Sequence, residues 1–150
     1  VLQEGIARMG EADEDAPTAA AALAAEYRAA GKRIAGFGHR IHTADPRTAE
    51  LFRLADLWKL SGPGVAMIRA IQDAFADLGK SLPINVDGAI AALLIDLEIP
   101  RELANAFFIM ARVPGLVAHV YEEQTTQKPM RRIHPTDHEY TGHPARSLYR

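Results

Sequence analysis

The chain has 150 residues, a one-domain length that can take roughly 70% of the unfolded surface out of water. With 48% apolar and 24% charged residues it has the balance of a globular chain; its net charge of −2 offers no basic field to a nucleic acid, and the lack of cysteine excludes disulfides, thiolate metal sites and cysteine nucleophiles. The longest charge-free apolar run, 88–95, is far short of the ~20 residues that cross a bilayer, and no signal-peptide pattern is present, so a cytoplasmic location with no membrane partner is expected.

Residues 1–9 read as the end of a helix already under way. The run 10–17 is acidic, small and unpatterned, which predicts a linker. An alanine-rich helix is expected over 18–30, with Leu23 and Tyr27 on one face, Thr18 as N-cap and Gly31 as the stop. Asp45-Pro46 opens the next, a cap followed by proline at the first helical position. Leu51, Leu54, Ala55 and Trp58 form its stripe, and Ser61-Gly62 ends it. A third helix begins near Pro63, where Val65, Ile68, Ile71, Ala74, Phe75 and Leu78 keep a helical period as far as Gly79. Residues 85–97 predict a helix apolar on nearly every side, which belongs in the middle of a bundle. Ile99-Pro100 starts another, carrying Leu103, Phe107, Phe108, Met110 and Ala111 to Arg112. Pro114-Gly115 predicts a kink or a fresh start, and a last helix covers 116–124. From Lys128 onward, prolines and histidines without a period predict an irregular surface tail. The expected fold class is all-α, a helical bundle organised as a helix end and acidic linker over 1–17, a helical domain over 18–127 and a tail over 128–150. Trp58, Phe107, Phe108 and Met110 are expected in the core.

Several common motifs fail. Gly36-Phe37-Gly38 followed by Ile41 lacks the third glycine of a dinucleotide fingerprint, and Gly79-Lys80-Ser81 has Ala74 where a phosphate loop needs glycine. No Gly-x-Ser-x-Gly elbow occurs. His134, Asp137, His138 and His143 make a poor metal pattern, because Pro135 separates the first two histidines and no glutamate follows His134. No metal is expected.

Two segments depart from helical grammar in an informative way. Gly36-Phe37-Gly38-His39-Arg40 sets an imidazole beside backbone that a ligand can approach closely. Asn85-Val86-Asp87-Gly88 puts a carboxylate in the first turn of an apolar helix, where the dipole favours the ionised form while the surroundings resist solvating it. Arg112, leaving an apolar face, and Arg47, at a helix N-terminus, both call for an anion. Each residue also has an ordinary reading: Asp87 as a capping carboxylate, His39 as a loop histidine satisfied by carbonyls, Arg47 as a solvated cation.

Taken in order and at these intervals, Gly36-Phe37-Gly38-His39-Arg40, Asp45-Pro46-Arg47, Asn85-Val86-Asp87 and Ala111-Arg112 with Gly115, Ala118 and His119 resemble the C-terminal part of the citrate synthase superfamily, over about residues 30–128. The tail, Lys128-Pro129-Met130-Arg131-Arg132-Ile133-His134-Pro135 with Tyr140, is more similar to citryl-CoA lyases and to the citryl-CoA lyase portion of ATP citrate lyase. The resemblance implies the small domain plus C-terminal segment of citrate synthase. It also implies a carbon–carbon bond made or broken between acetyl-CoA and oxaloacetate, with the CoA thioester as substrate and no other cofactor. Carried over residue by residue, His39 would donate to the ketone oxygen of oxaloacetate, or to the alkoxide oxygen of the citryl unit. Asp87 would take a proton from the acetyl methyl group, or return one to the enolate. Arg47 and Arg112 would hold carboxylates, Asn85 would join them in binding substrate, and the backbone of Gly36, Phe37 and Gly38 would receive part of CoA.

Two departures qualify the resemblance. The family's enolate-stabilising histidine belongs to a motif upstream of everything in this sequence, so the 150 residues alone are expected to be slow or inert. Lys128 stands where the family often has an arginine contributed across a dimer interface; either it acts as a point charge, or Arg131 or Arg132 takes over. A homodimer is expected. Two alternatives stay open: a non-catalytic helical module that binds CoA or a partner chain, and a 2-methylcitrate synthase that differs in one methylene of its acyl-CoA.

Overall fold

The computed structural model describes residues 1–41, 43–130, 132, 134, 136, 139 and 142–145. Among these are six α-helices and no strand: α1 (Leu2–Ala12), α2 (Ala16–Ala29), α3 (Pro46–Leu57), α4 (Pro63–Asp77), α5 (Val86–Asp96) and α6 (Ala104–Thr126), the last preceded by a 3-10 turn, Arg101–Leu103. The chain divides into two compact units, Val1–Phe108 and Ile109–Arg150. The expected all-α class is the one observed.

The first unit is organised on α4, whose helical period buries Val65, Met67, Ile68, Ala70, Ile71, Ala74 and Phe75. Helix α2 lies against it through Ala19, Ala20 and Ala24, and α5 through Ala89 and Ala92. These small side chains let backbones approach. A Cβ on Gly64 would collide with the Ala92 carbonyl oxygen and meet the Asp96 carboxylate at 2.9 Å. Gly62, the N-cap of α4, has no side chain to cap it, and Asp96 of α5 supplies what is missing. Its carboxylate accepts from the N–H groups of Gly62 (2.8 Å), Gly64 (2.6 Å) and Val65 (3.0 Å), satisfying three orphan donors of one helix from another.

Several expectations need correction. The stretch 10–17 is largely helical, with only residues 13–15 between α1 and α2. Asp13 ends α1 at a positive φ of 52°, and Asp15 caps α2 by accepting the Thr18 N–H at 2.9 Å, so Thr18 donates to the cap instead of being it. Trp58 is 63% exposed, because α3 ends at Leu57 and the stripe that buries Thr48, Phe52 and Ala55 runs out before it. Helix α5 leaves Ile90, Ala91, Leu93 and Ile95 half-buried, because the middle position belongs to α4. Helix α6 passes through Pro114 without a break: proline removes one internal bond, and the turns on either side hold. None of its residues is buried; Phe107 and Met110 are exposed and Phe108 is half-buried, not core. Arg112 interrupts the apolar run without interrupting the helix. Residues 101–126 form the one described stretch of helix long and apolar enough, by length and composition, to cross a bilayer. The described tail residues from Lys128 onward carry no helix.

Candidate active site

The two motif segments of the first unit meet. Phe37 and Ile84 form an isolated antiparallel bridge, the Gly38 N–H donates to the Pro83 carbonyl (2.7 Å), and the Asn85 N–H donates to the Gly36 carbonyl (3.0 Å). Gly36 and Gly38 flank the bridge at φ of 96° and 84°, a region that favours glycine. Close packing demands glycine as well: a Cβ on Gly36 would lie 2.9 Å from the Gly88 Cα, and one on Gly88 would run into the Gly36 carbonyl. Phe37 turns inward and meets the Phe75 ring edge-on, with centroids 5.3 Å apart. Asn85 caps α5 by accepting the Gly88 N–H (3.1 Å) and donates to the Gly38 carbonyl (3.1 Å). The residue expected to bind substrate thus uses its amide to fasten the glycine loop to the start of α5.

A second tie runs through Asp45, the N-cap of α3, which is 3% exposed. Its Oδ1 accepts from the Arg47 N–H (3.0 Å) and Nε (2.9 Å), and its Oδ2 from Arg47 Nη2 (2.8 Å) and the Val86 N–H (3.0 Å). The Arg47 hydrogen bond, helped by the two backbone N–H groups, holds the Asp45 carboxyl well below the usual carboxylate range against the opposing effect of burial. Arg47 is raised in turn, first by Asp45 and in smaller part by the negative charge of Asp87. Sequence reasoning had read Asp45 as a helix cap only. The Asp45-Pro46-Arg47 triplet was the available signal, since an arginine two residues beyond a capping aspartate can fold back onto it.

His39 is half-buried, and its Nδ1 accepts the Ile41 N–H at 3.1 Å. In the neutral ring the proton therefore resides on Nε2. That nitrogen lies 3.5 Å from Arg47 Nη2. The imidazole and the guanidinium thus stand side by side. Asp87, in the first turn of α5, is exposed, so the expectation that its surroundings resist solvation does not hold in this chain. It lies on the wall of a mainly apolar cavity of ≈ 320 Å³ that Gly36, Phe37, Ala91 and Ile95 also line.

The other predicted residues belong to the second unit. Arg112 is on an exposed face of α6, and Lys128 and Arg132 follow it as exposed residues. Arg131 lies outside the described residues, as do Asp137 and His138 of the weak metal pattern. His134 Nδ1 is 2.9 Å from the Thr136 hydroxyl, and no group of three or more potential metal ligands occurs among the described residues.

Comparison with known proteins gives a consistent result. The sequence matches the family described as citrate synthase, C-terminal domain, over residues 2–135. Citryl-CoA lyase from Hydrogenobacter thermophilus superposes with a TM-score of 0.70 at 37% identity, covering 98% of this chain and 59% of that one. Citrate synthase from Thermotoga maritima gives 0.61 at 27% identity, covering 89% of this chain and 36% of that one. ATP-citrate synthase beta chain protein 1 from Arabidopsis thaliana is 32% identical over 122 residues, 70% of this chain and 20% of that protein. Citrate synthase from Haloferax volcanii is 32% identical over 105 residues, 67% of this chain and 27% of that protein. The chain thus spans about a fifth to a quarter of the length of these two curated relatives. From the match over residues 2–135 and the shared helical fold, the chain belongs to the citrate synthase family.

Proposed function

We propose that this domain carries the base and the carbonyl-directed donor of an enzyme that makes or cleaves the carbon–carbon bond of citryl-CoA. In the forward direction Asp87 removes a methyl proton from acetyl-CoA. The resulting enolate attacks the ketone carbon of oxaloacetate, and the ketone π electrons move onto oxygen, which takes the Nε2 proton of His39. Cleavage runs the same steps backwards and starts from the opposite protonation states: His39, its Nε2 proton first given up to solvent, takes the hydroxyl proton, the bonding pair becomes the enolate, and Asp87, protonated beforehand from solvent, delivers that proton to the enolate carbon. Arg47 is arranged to assist. Asp45 occupies its Nε and Nη2, while Nη1 makes no hydrogen bond among the described residues and can address a substrate carboxylate.

The observation that carries the reading is that the His39 ring and the Arg47 guanidinium stand 3.5 Å apart, with the start of α3 that bears Arg47 tied through Asp45 to the first turn of α5 that bears Asp87. The 37% identity with citryl-CoA lyase along nearly the whole chain supports cleavage as the physiological direction. Arg112, Lys128 and the Arg131-Arg132 pair are proposed to complete carboxylate and CoA binding. A homodimer is proposed on the exposed apolar residues of α6, among them Val117 and Val120.

The test is an assay of the full protein, as encoded, with acetyl-CoA plus oxaloacetate and separately with citryl-CoA, without added metal. Turnover of citryl-CoA is expected, and inertness toward both would remove the reading. A second reading, a non-catalytic module that binds CoA or another chain, is favoured by the exposure of Asp87, a setting that a capping carboxylate shares with a base. Calorimetric titration with oxaloacetate separates the two, since only the catalytic reading requires that heat.

A further inference from the structure

The Asp45 side chain is wholly shielded from solvent, yet it has no part in the bond-making steps above. Capping α3 requires a single bond to a first-turn N–H, and the Arg47 N–H supplies it. Three further bonds do something else. Two fix the plane of a guanidinium whose side chain is otherwise half exposed, and the third reaches 41 residues along the sequence to Val86, immediately before Asp87. A carboxylate is costly to bury unless both oxygens are partnered. Here each oxygen has two partners, so the position of the group is over-determined.

We infer that Asp45 is a positioning residue for the reaction: it holds the Arg47 guanidinium, with the His39 ring beside it, and the first turn bearing Asp87 at one fixed separation, so that a substrate bound by the first presents its carbon to the second. The inference rests on the function proposed above. Misplacing reacting groups by about 1 Å costs on the order of 100-fold in rate, which is the scale available to such a residue. Both helix starts feel the same carboxylate. Losing it therefore frees the guanidinium and the first turn of α5 to drift independently.

The experiment compares wild type, Asp45→Asn, Asp87→Asn and the double variant in the full protein as encoded, reading kcat, KM and Tm. Asp45→Asn is expected to lower kcat by about 10- to 100-fold in folded enzyme. In the Asp87→Asn background it should cost less than about 3-fold more, because groups that act as a unit are not additive. A merely structural carboxylate would cost the same factor in both backgrounds, and that result overturns the inference. If Asp45→Asn does not fold, Asp45→Ser keeps a helix cap while losing the reach to Val86 and the guanidinium. Unchanged kcat in that variant overturns the inference equally. A wild type inert toward both substrates removes this inference together with the proposed function. An active wild type with an impaired Asp87→Asn and an unimpaired Asp45 variant removes the positioning role alone.

Discussion

Helices α4 and α6 are both dominated by apolar residues, and they meet opposite fates. In α4, 15 residues long, eight are buried; in α6, with 23, none is. The difference lies in arrangement. Along α4 the apolar side chains recur on faces met by α1, α2 and α5, while small and polar residues fill the rest. Along α6 they occur on every side, and Val113, Leu116, Val117, Val120 and Tyr121 are all exposed. Apolar content measures how much cover a helix needs; only periodicity tells where cover within the same chain is found.

This contrast can be broken or sharpened by substitution. Met67→Ala in α4 removes a side chain with no exposure and is expected to cost about 2–5 kcal/mol in urea unfolding. Met110→Ala in α6, at a position 57% exposed, should stay within about 0.5 kcal/mol. Equal costs would contradict the burial assigned to the two helices. The glycines make the same point at the backbone. Gly64→Ala forces α4 away from the Ala92 carbonyl and should destabilise by about 1–3 kcal/mol. Gly115→Ala, with nothing within 4 Å of its added carbon, should gain up to about 1 kcal/mol of helix propensity.

Asp45 yields a pH-dependent prediction of intermediate size. Its carboxyl is held below the ordinary range by Arg47, so the unfolded chain binds the proton more readily than the folded one. The stabilisation is complete above the unfolded pKa of ~3.9 and is lost as pH falls through the lower folded value. The advantage of wild type over Asp45→Asn, about 1.5–3 kcal/mol at neutral pH for a charged hydrogen-bond set, should therefore shrink on acidification below about pH 4. A difference that stays constant down to pH 3 would detach Asp45 from the network. The smallest effect is expected at the Arg53–Glu50 pair, which joins two exposed side chains at 2.7 Å. Arg53→Ala should leave Tm unchanged within error, because exposed pairs gain little against solvent and side-chain entropy.

Much of this molecule was legible before its coordinates. The start of α3 at Asp45-Pro46, the period of α4 and the left-handed stop at Gly79 follow local rules, and the structure repeats them. Local rules failed where a distant partner decides. Asp96 capping α4 across 34 residues leaves no mark near Gly62, and the acidic stretch 10–17 reads as a linker when its charges are taken without the cap at Asp15. The geometry of the candidate site was half legible. His39, Arg47 and Asp87 could be named from their motifs, whereas the link that brings them together, Asp45 to Val86, is a tertiary contact that no spacing rule encodes. Exposure of Asp87 was misjudged for a related reason: helix composition describes neighbours along the chain, and the open side of the first turn is set by what packs beside it.

The central claim is that one folded unit presents an imidazole donor, a guanidinium and a carboxylate base to the same substrate. The most direct measurement is the turnover of Asp87→Asn against wild type in the full protein as encoded, with folding verified by circular dichroism. A fall of at least ~100-fold, the scale of a lost general base, is the predicted result. Turnover equal to wild type in a folded variant would contradict it.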